Sequence, residues 1–382
     1  MSTPTKPGSE TTSQSQYYFR RATPGEKIIC WTRNHAAWGG LLTEVTQYIA
    51  REVVNSTTPM TIEGQKHWVL STRPDPPQDG EESAEDLLAA CETLERPAFV
   101  VGTDGKTQIV KSVGIASVFT PAENRGKGYA GVMMMKLAEW LDEQDVAFSV
   151  LYSDVGKEFY DKRGGWKAFE SRQVVLNLKD TNKGAEQIST HDAVELFRTE
   201  SVVEVCAKDV PVLQHKMKGQ PLGRNNEFRV AVVPSFDIIS WHFGSEEYTG
   251  KIITDKKPEI KGAKSGDVAI TWVHDYNKNL LFILRVSYLS KADEGKKERV
   301  GALAGLLDAA VSEAQKWGFK AVVAWNPDEQ LSRAAEQLGK TLGSVDVVFE
   351  DRDKDNIPAL RWEGAQHAGK IEWWDIVKYT WC

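Results

Sequence analysis

Residues 113–141 read VGIASVFTPAENRGKGYAGVMMMKLAEWL, and their reading decides the fold. Val113 to Phe119 is apolar and partly β-branched, the composition of a buried strand, and Pro121, Asn124, Gly126 and Gly128 break it sharply. From Ala130 onward Met133, Met134, Leu137, Ala138 and Leu141 recur at helical spacing, with Lys136, Glu139, Asp142 and Glu143 off that stripe. The turn therefore lies at the positive end of a helix, where the N–H groups of Gly126 to Ala130 can hold an anion, most naturally a pyrophosphate. The glycines permit close approach, and Arg125 and Lys127 add charge. Neither a phosphate loop of the Gly-Lys-Ser/Thr kind nor a dinucleotide-binding GxGxxG turn is present in this stretch.

Working outward, 382 residues are enough for two domains with their own cores. A formal charge of -7 argues against nucleic acid or an anionic membrane as principal partner. Cys30, Cys91, Cys206 and Cys382 lie far apart and form no CxxC pair, so neither a metal site nor a disulfide framework is expected. A cytoplasmic protein is the expectation. No run approaches the ~18 apolar residues of a membrane span. Residues 1–16, rich in Ser, Thr and Gln, read as a disordered tail.

The chain before the opening stretch predicts a strand at Tyr17–Arg21, a turn at Pro24-Gly25, a helix over Trp38–Val54 and a strand at His67–Ser71. Ser83 is placed to cap a helix over Ala84–Glu95 that Pro97 closes, and Ala98–Val101 with Ile109–Phe119 read as a hairpin. After it come a buried strand at Val146–Tyr152 and a short helix at Lys157–Lys162 capped by Ser153 or Asp154. Gly164-Gly165 stops that helix before a strand over Trp166–Leu178. Lys179–Thr190 is polar and reads as a linker. The order then repeats: strands at Asp267–Asp275 and Leu280–Leu289, a helix through Val300, Leu303, Leu307 and Val311, a strand at Lys320–Trp325, a helix at Asp328–Leu338 and a strand at Ser344–Glu350. SYLSKADEGKKERVG (287–301) aligns with SVFTPAENRGKGYAG (117–131) without a gap, but Gly295 stands at Arg125, Glu298 at Gly128 and Val300 at Ala130. Aligning Asp328 with Asp154 places Ala334 at Tyr160. The second copy has lost the cradle, and a non-catalytic domain is expected.

Arg125, Gly128 and Ala130 match the Q/R-x-x-G-x-G/A signature of the GNAT superfamily of acetyl-CoA-dependent N-acyltransferases, and SDVGKEFYDKRGGW (153–166) resembles the second half of that family's pattern. The resemblance implies an α/β fold of the mixed-sheet α+β kind. A catalytic GNAT domain would span 17–180, with a linker at 181–190 and a degenerate GNAT-like domain over 191–382. It implies acetyl-CoA as cosubstrate, with Arg125, Gly126, Lys127, Gly128, Tyr129 and Ala130 around the pyrophosphate and Val118 and Thr120 along the pantetheine arm. Asp154 and Phe159 belong to the same surroundings. The Phe119 region supplies a backbone N–H to the thioester carbonyl, and Tyr160 lies near the departing sulfur. A phenol of pKa ~10 gives its proton to a thiolate of ~8.5 uphill by about 2 kcal/mol, so Tyr160 acts mainly as a hydrogen-bond donor. For the base Glu123, Asp154, His35 and His67 stay open. IEWWDIVKYTWC (371–382) carries too many aromatics for a disordered tail. It either returns to the first domain's cleft or fills the second domain's core. If it returns, the Cys382 carboxylate serves as base or substrate ligand, as in relatives with tandem domains.

LLAACETLERPAFV (87–100), GIASVFTPAENRGKGYAGVMM and the closing KYTWC resemble the fungal acetyltransferases that act on the side-chain amine of free lysine in lysine catabolism. That resemblance implies a small amine partner, free lysine. An arginine should bind its carboxylate, and Arg33, Arg224, Arg229, Arg285 and Arg361 are all open. Protein lysines, a polyamine, or acetyl-CoA binding without turnover are the alternatives. Gly128→Glu is expected to abolish CoA binding in a calorimetric titration, whereas Tyr160→Phe lowers turnover and leaves binding intact; normal binding by Gly128→Glu means the cradle is misplaced.

Overall fold

The computed structural model describes residues 17–179, 194–291, 296–362 and 370–382, with the side chains of 296–298 left out. The expected tail 1–16 and linker 181–190 lie outside the described residues, as do Gly295 and the side chain of Glu298. The first half runs β1 (Tyr18–Arg21), α1 (Pro24–Trp38), α2 (Val45–Asn55), α3 (Pro59–Gly64), β2 (Gln65–Ser71), β3 (Leu87–Gly102) and β4 (Thr107–Phe119). It continues with α4 (Tyr129–Asp142), β5 (Phe148–Ser153), α5 (Phe159–Gly164), β6 (Lys167–Ala168) and β7 (Arg172–Leu178). The second half opens with β8 (Glu195–Phe197), α6 (Thr199–Gly219), β9 (Phe228–Val232), α7 (Phe236–Thr254) and β10 (Gly262–Ser265). Then follow β11 (Val268–Asp275), β12 (Leu280–Tyr288), α8 (Lys296–Lys316), β13 (Ala321–Trp325), α9 (Glu329–Thr341), β14 (Val345–Asp351), β15 (Ile357–Trp362) and β16 (Ile371–Trp373).

Three local readings change, the first being that the helix expected over Trp38–Val54 starts only at Val45, because α1 runs to Trp38 and is capped by Gly39. Pro24-Gly25 is no turn: Thr23 caps α1 by accepting the Glu26 N–H at 3.1 Å while the Glu26 carboxylate accepts the Thr23 N–H at 2.9 Å. This capping box, with proline in the first turn, starts a helix. Residues 84–95 form no helix either. Ser83 caps a single 3-10 turn at Ala84–Asp86, and the apolar run beyond it is the long strand β3. Pro97 is tolerated inside β3 because β2 pairs only as far as Leu94 and β9 begins at Ala98, so its missing N–H falls between two partners.

The strands form two mixed sheets with matching paths. One runs β1-β2-β3-β4-β5-β15-β6, with β9 beside β3 and β16 beside β9; the other runs β8-β10-β11-β12-β13-β7-β14. In each path a parallel pair, β4/β5 or β12/β13, sits among antiparallel neighbours. The penultimate strand of each path comes from the other half of the chain. β15 pairs with both β5 and β6, through Leu360↔Val150 and Ala359↔Ala168, and β7 pairs with both β13 and β14. The strand expected over Trp166–Leu178 is thus two strands in two sheets. At the break between them Pro358 O accepts the Phe169 N–H at 2.8 Å, and Asn326 Oδ1 accepts the Arg172 N–H at 2.8 Å. A boundary at 180/191 consequently separates no closed sheet from another. The cores merge as well: Leu94 and Ala116 of the first half pack in one cluster with Phe282, Leu284, Val323, Trp325 and Tyr379 of the second.

Since β15 covers an edge that residues 17–179 cannot cover themselves, that fragment made alone is expected to aggregate or stay unfolded by size exclusion and far-UV circular dichroism. Co-expression with 194–382 should restore a soluble complex. A monomeric, cooperatively melting 17–179 fragment would show that the exchange is dispensable.

Candidate active site

The site begins where the β4/β5 ladder ends. The two strands pair from Ser112↔Phe148 to Ile115↔Leu151 and no further. On its other side β4 slips register against β3 between Glu92↔Ala116 and Ala90↔Phe119, and Ser117 in that slip has φ 52°. This is a β-bulge, which bends a strand and increases its twist. A left-handed residue with a side chain costs about 1–2 kcal/mol, and here it turns Val118, Phe119 and Thr120 away from β5.

On one side of this gap lies the α4 turn. Buried Asn124 donates to Leu87 O at 3.3 Å, pinning the turn to β3. Gly126 and Gly128 have φ 78° and 82°, and a Cβ on either would meet nothing within 4 Å, so the cradle is open. The first α4 hydrogen bond runs from Val132 N–H to Gly128 O at 3.1 Å, leaving the N–H groups of Tyr129, Ala130 and Gly131 ahead of it. Lys127 is exposed. Arg125 folds back, donating to Thr120 O at 3.1 Å with its guanidinium 5.8 Å from the Phe119 ring. Tyr129 packs edge-on against Tyr17 at 5.2 Å. The Thr120 hydroxyl is buried without a hydrogen-bond partner among the described residues. An unsatisfied hydroxyl beside an open anion cradle fits a ligand with a pyrophosphate and an amide-bearing arm.

Tyr160 and Phe159 sit on α5, rings 5.0 Å apart and perpendicular, packed against the same core as α4. Burial, with Asp154 and Cys91 adding to it, pushes the Tyr160 phenol above its ordinary pKa, so it stays protonated and can donate. Asp154 neither caps α5, whose N-cap is Glu158, nor presents a free carboxylate: its Oδ1 accepts the Asn356 N–H at 2.8 Å, tying β5 to the approach of β15.

The other side of the gap carries two groups that the sequence alone does not single out, Glu92 and Arg96, beside the candidate base His67. Glu92 on β3 is 7% exposed, accepts from Gln65 Nε2 at 2.7 Å and from Trp31 Nε1 at 3.4 Å, and lies 3.4 Å from His67 Nδ1. Burial pushes its carboxyl above the usual range against those hydrogen bonds. Burial, then Lys27 and Arg21, hold His67 down at about 3, so it is neutral. Arg96, on the same strand, is 2% exposed; its Nη1 donates to Thr380 O at 2.7 Å, while Nε and Nη2 have no oxygen partner among the described residues and the guanidinium lies beside the Cys382 thiol. Gly114 makes room for it, since a Cβ there would stand 2.2 Å from Arg96 Nη2.

The C-terminal segment does both things that its aromatics allowed. Tyr379 packs in the core with Phe282, Leu284 and Trp325 of the second sheet and donates to Val232 O at 2.6 Å, Trp373 packs among strands of the first sheet, and Cys382 reaches the gap, its Sγ 3.7 Å from Ile115 O. Other candidates are drawn elsewhere. Glu123 is exposed and bonded to Arg33, and His35 Nε2 meets Leu42 O at 2.9 Å in the α1–α2 connection. Arg229 pairs with Glu372, Arg285 with Asp209 and Asp375, and Arg361 with Asp142, while Arg224 is exposed in the loop before β9. Among the described residues no cluster of three His, Cys, Asp or Glu could hold a metal ion, and no helix is long and apolar enough to cross a membrane.

Comparison with known proteins adds a family. Residues 177–382 match the model of the LYC1 GNAT-like C-terminal domain. A lysine acetyltransferase of Yarrowia lipolytica is 27% identical over 399 residues, covering 91% of this chain and 95% of its own. An uncharacterised protein of Saccharomyces cerevisiae is also 27% identical, over 92% and 94%. Among solved structures, a GCN5-related N-acetyltransferase from Kribbella flavida superposes with a TM-score of 0.52 at 12% identity, covering 91% of this chain and 72% of its own. A probable N-acyltransferase from Enterococcus faecalis gives 0.50 at 10% identity, over 92% and 74%. Both mixed sheets therefore follow the acetyltransferase fold.

Ser117 offers a direct check on the geometry. Ser117→Val should be about 1–3 kcal/mol less stable than Ser117→Gly in urea unfolding, because both lose the hydroxyl that bonds Glu92 and only the β-branched residue resists positive φ. Equal stabilities would show that the bulge is not strained.

Proposed function

The chain belongs to the LYC1 GNAT-like family and is an acetyltransferase of the GNAT type, and from that premise we propose that it transfers the acetyl group of acetyl-CoA to the side-chain amine of free lysine. The observation that carries this reading is the gap beyond Ile115 and Leu151, which has an open anion cradle on one side and a buried carboxylate and guanidinium on the other. The Yarrowia relative that bears the name lysine acetyltransferase aligns along nearly the whole chain and supports the choice of acceptor. A cytoplasmic setting is part of the same proposal.

In this reading Gly126, Lys127, Gly128, Tyr129 and Ala130 hold the pyrophosphate, and Val118, Phe119 and Thr120 line the arm. Acetyl-CoA supplies the activated acyl group. Glu92 removes a proton from the incoming ammonium; its burial raises its proton affinity and makes it a stronger base than a surface carboxylate. Tyr160, held protonated, donates a hydrogen bond toward the sulfur as the C–S bond breaks and the amide bond forms. Arg96 receives the substrate carboxylate on Nε and Nη2. Glu92 and Arg96 lie on one face of β3, and the Arg96 guanidinium folds back over Gly114, the partner of Leu94, toward the Glu92 side. Free lysine offers an amine to the carboxylate and a carboxylate to the guanidinium, whereas a polyamine has no carboxylate for Arg96.

Thiol release from acetyl-CoA with free lysine, a lysine peptide and a polyamine tests the reading. Free lysine should be the preferred acceptor, and Arg96→Met should raise its KM about tenfold or more while sparing the polyamine. Glu92→Gln should lower kcat/KM by about 10²–10⁴ and remove an ascending pH limb centred above the ordinary carboxylate range. Because the folded-state pKa of Glu92 is raised, stability is fully present below the unfolded value and is lost as pH rises through the folded one. Glu92→Gln should therefore be no less stable than wild type at pH 8. Absence of release with every amine, despite CoA binding, rules out the enzyme reading.

A further inference from the structure

The second sheet has a gap of its own. β12 and β13 pair in parallel from Leu280↔Ala321 to Ile283↔Ala324, four pairs as in the first sheet, and then part. Beyond the last pair lies a cavity of about 220 Å³, bordered by α6, β12, the head of α9 and the Trp374–Val377 segment. That is smaller than the ~300 Å³ at which pockets for drug-sized ligands begin, and it suits a metabolite of few heavy atoms.

Most of the charges around it are engaged. Arg285 donates Nε to Asp209 and Nη1 to Asp375, the latter at 2.9 Å, and Ser287 donates to Asp209 at 3.2 Å. Tyr288 donates to Asp328 at 2.5 Å. Lys216 differs: its ammonium lies 3.8 Å from the centre of the Tyr288 ring and makes no hydrogen bond or ion pair among the described residues. Burial lowers its pKa against the pull of Asp375, Asp209 and Asp328, the direction expected of a cation short of a partner. Asp375 keeps 28% of its side chain exposed and so has room for a second partner.

We propose that this cavity binds a small zwitterion, a free α-amino acid, with its carboxylate on Lys216 and its ammonium on Asp375 and Asp328. The lining favours that charge pattern over its neighbours. A phosphate or dicarboxylate would meet three aspartates, and a diamine would meet Lys216 and Arg285 and leave Lys216 unpaired. A zwitterion satisfies both signs, while Val212 and Trp374 offer an apolar wall to its side chain. The site has a route to the first gap: Asp375 lines this cavity, and Thr380, five residues on, accepts from Arg96. An occupant that fixes Asp375 also steadies the segment that crosses the acceptor face. The site stands apart from the acceptor reading, since none of its residues belongs to the first gap.

Isothermal titration of the full chain without acetyl-CoA separates the two sites. The titrants are L-lysine, L-leucine, L-glutamate, propionate and putrescine, and the host is the Arg96→Met variant, which removes the acceptor face's carboxylate ligand. At least one amino acid should bind this variant, with propionate and putrescine binding at least about tenfold more weakly. Adding Lys216→Met, or Lys216→Gln with its similar length, should weaken that binding about tenfold or more, with the melting temperature falling by no more than the lost contact with the Tyr288 ring accounts for. Absence of binding by every amino acid, equal binding by putrescine or propionate, or unchanged binding in both Lys216 variants overturns the proposal.

Discussion

Two parallel strands that stop pairing part-way along set the terms for the rest of this molecule. β4 is held by β3 on one side, and the left-handed Ser117 shifts it by one residue against that partner, so it cannot keep following β5 past Ile115. The strain of about 1–2 kcal/mol is offset by the ladder on either side of the slip. The α4 turn then presents unbonded N–H groups on one side of the opening, while Glu92, Arg96 and the C-terminal segment occupy the other. A single backbone irregularity thus creates two unlike walls, one suited to an anion and one to a proton transfer.

The exchange of β7 and β15 joins the two halves more firmly than packing alone would. β15 lies beside β5 and is fixed at its approach by the Asp154 carboxylate, so a strand of the second half forms part of the wall next to the gap. The C-terminal segment adds further connections, since Tyr379, Thr380 and Cys382 touch β9, Arg96 and β4 in turn. Both gaps therefore belong to one mechanical unit with a shared core around Leu94, Trp325 and Tyr379.

Much of this order is legible in the sequence because it is local. The strand, turn and helix of residues 113–141 stand where their periodicity puts them, as do β11, β12, β13 and α9 with its Asp328 cap, which accepts the Leu331 N–H at 2.8 Å. What was not legible depends on distant partners. LLAACETLER has a helical stripe, and only the neighbours on both of its edges make it a strand; the Glu92 and Arg96 side chains owe their burial to that. The exchange of strands leaves no local mark either, since β7 reads the same whichever sheet receives it. The capping box at Thr23 and Glu26 is different: its signal is local, but a Pro-Gly pair in the same place is equally the signature of a turn.

The exchanged strand also has a consequence in time. β5 ends at Ser153 and its partner begins at Ile357, so on the ribosome some 200 residues must be added before that edge can be covered. At ordinary synthesis rates this is about 10–40 s. During that interval the nascent first half presents one unpaired edge of an apolar strand to solvent or to other chains, so the β5–β15 pairing is among the last in its sheet to form. Assembly of the acceptor wall is then a late event, coupled to completion of the chain.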